Sequence, residues 1–493
     1  MLRQRVFSVG LGLALALASA SDVAQGAPDA SPATMTSGAN VEGRVPEIEG
    51  FVRALGADHT LKDATIAVAI LDVDSGHYLA VLGEHQLMNP ASNAKLYTAA
   101  TALATLHGDH RFETSLSGTV KNGAVSGPLV LRGHGDPSLG TEDLWSMVQD
   151  LRAHGVRRVE GDILVDQRFF DDQTTPPAFE QQPNEWSAFR APVSAVAVNE
   201  NTVVLTVRPG TPGSPASATF DPPGFVDVEG TVKTAEEGAD SVILALSPNG
   251  KRLSAKLAGA VGAESRLVRY TRRVEDPTLL AGYTLRALLE KAEIRVSGEV
   301  KLGTTTRGTQ LVKHESAPLS SLLFAVGKSS DNFYAEMIFK SLAGEVKGRP
   351  AKATDAAQVV TKWIEKNGAS DAGMIIKNGS GLFDANRVTT ASVTQLLRAA
   401  WRDPAIQPEF VAQLAIGGVD GTLHRRFREH RAHRSIRAKT GTLEDCAALS
   451  GYVLGPPGKG PIAFSILINH TQVSNARAAM DRLVDKIADR QWK

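Results

Sequence analysis

The chain has 493 residues, 42% hydrophobic and 5% aromatic, with 53 basic and 53 acidic side chains, so its formal net charge is zero. That length exceeds what one hydrophobic core organises and predicts two or three domains. The charge balance argues against a protein held to nucleic acid or to anionic membranes by a basic excess, and the single cysteine, Cys446, excludes an internal disulfide framework.

Residues 1–26 read as a secretory signal peptide: Arg3 and Arg5, an apolar run from Val6 to Leu17, then small residues with candidate cleavage sites after Ala20 or Gly26. No cysteine lies near those sites, so a periplasmic or secreted protein without a lipid anchor is expected. Residues 27–44, rich in Ala, Ser, Gly, Thr and Pro, predict a flexible leader. No later run reaches the roughly 18 to 20 apolar residues of a membrane span.

A short amphipathic helix is predicted from Val45 to Leu55, then two strands, Thr65 to Asp72 and His77 to Gly83, around the turn Asp74-Ser75-Gly76. A helix led by Pro90 follows, rich in Ala and Leu, and Gly108 stops it. From there the pattern changes. Residues 106–194 read as an inserted mixed α/β domain, with strands at Phe112 to Val120, Pro128 to Arg132 and Val156 to Val165, and a helix capped by Thr141. Residues 195–275 read as a nested β-rich subdomain with Pro- and Gly-rich turns.

Asp276-Pro277 predicts the start of a helix through Ala292, where the main domain, residues 45–105 and 276–493, is expected to resume. Helices are predicted at Pro318 to Val326, Asn332 to Leu342, Thr354 to Lys366 and Ser392 to Trp401. Three strands, Ile436 to Thr442, Ala447 to Leu454 and Ile462 to Asn469, should join the first two in one antiparallel sheet, closed by a helix from Ala476 to Gln491.

Three short motifs carry chemistry. In Asn89-Pro90-Ala91-Ser92-Asn93-Ala94-Lys95 the serine and lysine stand three apart, on one face of a helix, which makes Ser92 a candidate nucleophile and Lys95 its base. Ser330-Asp331-Asn332 and Lys439-Thr440-Gly441 follow in order. A Ser-x-x-Lys tetrapeptide alone is expected about once by chance in such a chain. Taken singly, each motif is equally a helix cap or a strand-edge turn, whereas the ordered trio is the signature shared by penicillin-binding proteins and class A β-lactamases.

On these residues the chain resembles the low-molecular-mass class C penicillin-binding proteins, the D-alanyl-D-alanine carboxypeptidase and endopeptidase group of the penicillin-binding protein 4 type. Leu129-Val130-Leu131-Arg132-Gly133 through Asp136-Pro137-Ser138-Leu139, Asn378-Gly379-Ser380-Gly381-Leu382 and Gly418-Val419-Asp420-Gly421-Thr422-Leu423 look like segments of that family. Asn378 stands where the family often has Asp, and Phe383 where serine is common. The resemblance implies an α+β fold: a penicillin-binding, serine β-lactamase-like transpeptidase domain with a five-stranded antiparallel sheet flanked by helices, carrying the long inserted α/β and β-rich region. Ser330 follows Ser92 by 238 positions, which favours the peptidase over the compact β-lactamases.

The implied reaction is acyl transfer by Ser92 between two terminal D-alanines of peptidoglycan stem peptides, with β-lactams as covalent inhibitors. In that reading Lys95 takes the serine proton, its pKa lowered by burial and by Lys439, and Ser330 relays a proton to the leaving amine. Asn332 holds Lys95 by its oxygen and substrate by its nitrogen. Lys439, Thr440 and Thr442 receive the substrate carboxylate, Gly441 permits close approach, and the N–H groups of Ser92 and Thr442 form the oxyanion hole. No cofactor and no metal are expected, nor is a nucleic-acid partner, and the sequence leaves a homodimer open. A β-lactamase, separable by rapid deacylation of bound penicillin, and a catalytically idle wall-binding protein are the competing readings. His424, His430 and His433 read as a solvated basic loop, Cys446 as a small buried apolar residue, and the insertion as separable from the chemistry.

Overall fold

A computed structural model describes residues 43–238 and 240–493. The signal peptide expected at 1–26 and nearly all of the leader expected at 27–44 lie outside them. The two N-terminal strands and three C-terminal strands form one antiparallel sheet, in the order Tyr78–Leu82, Thr65–Asp72, Ile462–Asn469, Ala447–Val453, Ile436–Thr442, with a two-residue sixth strand, Ala415–Ile416, at the edge. Thr65–Asp72 pairs residue for residue with Ile462–Asn469, from Thr65 opposite Asn469 to Asp72 opposite Ile462, so the two ends of the described chain close the domain.

Both faces of this sheet are covered, which is why its central strands read as unbroken apolar runs. In Ile462–Asn469 alternate side chains enter different cores, as a strand's period of two requires. Ile462, Phe464, Ile466 and Ile468 pack with Ile48, Val52, Met480 and Leu483 of the N-terminal helix Pro46–Gly56 and the closing helix Val473–Gln491. Ala463 and Leu467 face the opposite core, which includes Leu96, Leu103, Leu396 and Phe339 from the helical half of the domain.

The inserted unit has its own five-stranded mixed sheet, ordered Val300–Leu302, Ile163–Asp166, Leu129–Gly133, Glu113–Gly118, Thr309–Glu315, with helices Thr141–Ala153 and Leu280–Lys291 sharing its core. This corrects the boundary expected at residue 276. Leu280, Leu285, Leu288 and Leu289 are buried in the insertion's core, and the strands Val300–Leu302 and Thr309–Glu315 complete its sheet before the chain returns at Leu319. Asp276 makes a local turn, its carboxylate accepting from Thr278 N at 3.0 Å, so the helix starts at Leu280 and not at the Asp-Pro pair. Gly140, not Thr141, caps the earlier helix, with the Asp143 carboxylate reaching back to its N–H at 2.8 Å. The stretch between is β-rich as expected, with three small sheets built from strands between Thr202 and Arg273.

Residues 195–198 stitch the two cores together: Ala195 and Ala197 lie in the main helical core, Val196 and Val198 in that of the insertion. Phe169, Phe170, Ala191 and Val193 from the same segment also pack into the main core.

Candidate active site

Pro90 and the single 3₁₀ turn Ala91–Asn93 precede the α-helix Ala94–Leu106, so Ser92 sits on a tight turn where a continuous proline-led helix was expected. The reason is local. Asn89 Oδ1 accepts the N–H of Ala91 at 2.9 Å and holds Ala91 at φ 46°, a left-handed conformation that costs a non-glycine residue about 1 to 3 kcal/mol. Strain is therefore placed directly before the candidate nucleophile.

Lys95, one turn on, is fully buried. Its Nζ lies 3.0 Å from Ser92 Oγ, 2.7 Å from Asn332 Oδ1 and 2.8 Å from the Ser380 carbonyl. Three acceptors match the three protons of an ammonium. In the neutral amine two N–H groups still serve Asn332 and Ser380, and the lone pair faces the Ser92 hydroxyl. Burial lowers the Lys95 pKa to about 7, against the pull of Glu336 and then Asp331, which hold the proton on. The expected effect of Lys439 falls the other way: burial, then repulsion by Lys95, holds Lys439 well below the usual lysine range.

The second motif lies at a break between helices. Leu319–Phe324 runs into a π turn, Ala325–Ser329, and Ser330 takes a left-handed conformation, φ 62°, before Asp331 caps the helix Asn332–Val346 by accepting from Tyr334 N at 2.9 Å. Asn332 thus starts a helix with its side chain aimed at Lys95. Its oxygen takes the expected bond, whereas its nitrogen, expected to meet substrate, donates to the Phe189 carbonyl of the insertion at 2.9 Å. The insertion, expected to stand apart from the chemistry, reaches the centre of the site.

The third motif is the strand Ile436–Thr442. Lys439 is 1% exposed and donates to Ser330 Oγ at 2.7 Å and to the Thr440 carbonyl, so its amine faces Ser330 and not the open cleft in which a carboxylate was expected to meet it. A methyl group on Gly441 would stand 2.9 Å from Pro90 O and 3.0 Å from Ala91 Cβ, which is why only glycine lets the strand pass the serine turn. Thr440 Oγ1 donates to Thr422 Oγ1 at 2.8 Å, and Thr442 Oγ1 to the Gly441 carbonyl. All eight residues expected at the site come together around or directly behind a cleft of about 630 Å³ whose lining includes Ser92, Ser330, Thr440 and Thr442.

Several supporting residues were not foreseen. Glu336, 2% exposed and four residues after Asn332, accepts the N–H groups of Gly379 and Ser380 at 3.1 and 2.7 Å and so fixes the carbonyl on which Lys95 rests. Its burial raises its pKa, opposed by those hydrogen bonds and by Lys95. An acidic residue inside an apolar helix, in step with Asn332, was the available signal. Because its charge holds the proton on Lys95, Glu336→Gln is expected to move the acidic limb of the pH–rate profile to lower pH. An unchanged limb, or one moved upward, would contradict that coupling.

Asn378 has a reason to be an amide: Nδ2 donates to the carbonyls of Pro177 and Leu382 while Oδ1 accepts from Gly381 N, and a carboxylate would lose both donors. Phe383 meets Phe179 of the insertion edge to face, ring centres 6.0 Å apart. Cys446 is buried, and its thiol is pushed up to about 12, chiefly by burial, which suits the apolar reading. The basic stretch is exposed at His424, Arg425, Arg428, Arg431 and Arg434, as a solvated loop requires, and two of its side chains hold it to the closing helix, Arg426 on Asp481 and His430 on Asp489.

The model of the D-Ala-D-Ala carboxypeptidase 3 (S13) family matches residues 50–487. A D-alanyl-D-alanine carboxypeptidase of Actinomadura sp. (strain R39) is 33% identical over 466 residues, which cover 90% of this chain and 85% of that protein. The crystal structure of penicillin-binding protein 4 (dacB) from Haemophilus influenzae superposes with a TM-score of 0.74 at 23% identity, over 90% of this chain and 99% of that one. The same Haemophilus protein complexed with a novel β-lactam gives a TM-score of 0.70 at 23% identity, over 91% and 100% of the two chains.

Proposed function

Since the chain belongs to the D-Ala-D-Ala carboxypeptidase 3 (S13) family and is a serine-type D-alanyl-D-alanine carboxypeptidase/endopeptidase, we propose that Ser92 is its nucleophile and Lys95 the base that activates it. The observation that carries this assignment is the Lys95 amine, fully buried, 3.0 Å from Ser92 Oγ and poised near neutrality.

Ser92 Oγ attacks the carbonyl carbon of the penultimate D-alanine as its proton passes to Lys95 Nζ. The tetrahedral oxyanion is received by the N–H groups of Ser92 and Thr442, donors worth on the order of 3 kcal/mol when aimed at developing charge. The C–N bond then breaks. Ser330, backed by Lys439, relays the proton that Lys95 took from Ser92 to the departing amine, so Lys95 is neutral again and D-alanine leaves an ester on Ser92. Water, deprotonated by Lys95, hydrolyses the ester and restores the serine. A β-lactam follows the same first step, but its leaving nitrogen stays tethered to the acyl group.

Stem peptides lie outside the cytoplasm, so export through residues 1–26 is part of the proposal, and no helix among the described residues is long and apolar enough to cross a membrane. The described residues of a single chain supply every group named, so the reaction needs no second copy. The test is to incubate the purified protein with a peptide ending in D-alanyl-D-alanine and follow free D-alanine. Its catalytic release supports the assignment. Failure to release it, by protein that unfolds cooperatively, would overturn it, and fast turnover of penicillin in its place would identify a β-lactamase.

A further inference from the structure

A second cleft, of about 830 Å³, lies away from the chemistry. Its walls include residues 166 and 168–172 of the insertion and residues 349, 350 and 352, which follow the helix Asn332–Val346. Asp171 N donates to the Ala351 carbonyl at 3.1 Å and Ala351 N to the Phe169 carbonyl at 2.8 Å, so the two walls are joined backbone to backbone. Phe169 packs against Gly344 so closely that a methyl group there would stand 2.6 Å from its ring. Gly344 is in the last turn of the helix that Asn332 opens, which puts this cleft at the helix's far end, roughly 20 Å from its first turn.

The lining is short of acid. Asp166, buried, is shared by Arg132 at 2.8 Å and Arg168 at 2.9 Å, so one guanidinium charge there has no counterpart. Asp171 is already taken by the buried Lys340, at 2.5 Å. Arg349 lies over the Phe169 ring, 4.9 Å from its centre, and its Nη1 donates to His134 Nε2 at 3.3 Å. Burial, then Arg349 and Arg132, lowers the His134 pKa to about 4, so this histidine is neutral and orients Arg349 without compensating it. Among the described residues neither Arg349 nor Lys352 makes an ion pair. Three unanswered cations against one free carboxylate, Asp172, leave an excess of two positive charges.

That excess matches a phosphate monoester, which carries about −1.5 to −2 at pH 7, better than the single charge of a carboxylate. Guanidinium N–H groups pair with phosphate oxygens, and an ammonium adds a point charge. The volume is within the range of small-molecule sites, roughly 300 to 1,000 Å³, and leaves room for a body behind the phosphate. Phe169, Phe170 and Pro350 give that body an apolar wall, and the Asp172 carboxylate accepts hydroxyls. We infer that this cleft is a binding site for a sugar phosphate, with Arg349 and Lys352 on the phosphate and Asp172 on the ring hydroxyls. The site is independent of the assignment of Ser92, because no residue of its lining belongs to the three motifs.

The experiment titrates the full chain by calorimetry at low salt with glucose 6-phosphate, with glucuronate, which carries one charge on the same kind of ring, and with glucose. Glucose 6-phosphate is expected to bind with a Kd below about 1 mM, at least about tenfold tighter than glucuronate, and glucose not measurably. Arg349→Gln should weaken binding at least about tenfold, the low end for a charge-assisted hydrogen bond, and the double variant with Lys352→Gln should weaken it further. Both side chains are exposed, so the fold should survive, which the melting temperature checks. Release of D-alanine should be unchanged in both variants and uninhibited by glucose 6-phosphate. Binding that glucose equals, binding that survives the double substitution, or no binding by wild-type protein that unfolds cooperatively would overturn the site. Glucuronate held as tightly as glucose 6-phosphate would overturn the match to a doubly charged anion. Inhibition of D-alanine release that saturates at the same Kd would put the ligand in the catalytic cleft and overturn the inference as well.

Discussion

Replacing Ser92 by alanine is expected to reduce release of D-alanine to the uncatalysed background, a loss on the order of five to six powers of ten, with little change in melting temperature. The fold should survive because Lys95 keeps its bonds to Asn332 and the Ser380 carbonyl when the hydroxyl is removed. This variant also decides between two serine–lysine pairs. Ser330 lies 2.7 Å from Lys439, closer than Ser92 lies to Lys95 at 3.0 Å, so distance alone does not name the nucleophile. Two features favour Ser92: it lies on the turn that leads directly into the helix Ala94–Leu106, whose positive end stabilises an oxyanion, and burial brings its lysine to about 7, where the amine takes up a proton near neutral pH. Ser92→Ala retaining more than about a hundredth of wild-type activity, with Ser330→Ala inert, would reverse the assignment.

Lys95→Met should cost about two to four powers of ten in kcat/KM, the range of a positioned general base, and should also lower stability. Methionine fills much of the volume but leaves the Ser380 carbonyl and Asn332 Oδ1 without a donor in a fully buried site, about 1 to 3 kcal/mol for each. Lys95→Arg should not rescue, because a guanidinium does not give up its proton to become a base. The wild-type profile carries the same signature. The reactive form of Lys95 is the neutral amine, so kcat/KM should rise with pH, about tenfold per unit well below the pKa, and level off above about 7. A rate that falls as pH rises from 5 to 7 would show that the ammonium form is the one required.

The sheet was legible because its strands are long, apolar and bounded by turns. Ile436–Thr442 and Ile462–Asn469 lie where apolar runs and turn residues put them, and they share one antiparallel sheet with Thr65–Asp72 as expected. The site residues were legible because the spacing of Ser92 and Lys95 is a helix period, and because Asn332 and Lys439 arrive in motifs of fixed composition. What was missed depends on contacts distant in sequence. The helix Leu280–Lys291 carries the right apolar face for either core, and only the pairing of Val300–Leu302 with Ile163–Asp166 shows which core it joins. Asn332 bonding to Phe189, 143 residues away, and Arg477 reaching Thr442 have no local pattern to announce them. Ala91 at positive φ was equally hidden, since nothing in an alanine marks a left-handed turn.

An acyl-enzyme on Ser92 is detected by the mass of the intact protein before and after incubation with a penicillin, followed by peptide mapping. The expected result is a gain of one penicillin per chain, carried by the peptide that contains Ser92 and absent from Ser92→Ala. Folded protein that gains no mass, or carries the adduct on Ser330 or any other residue, would contradict it.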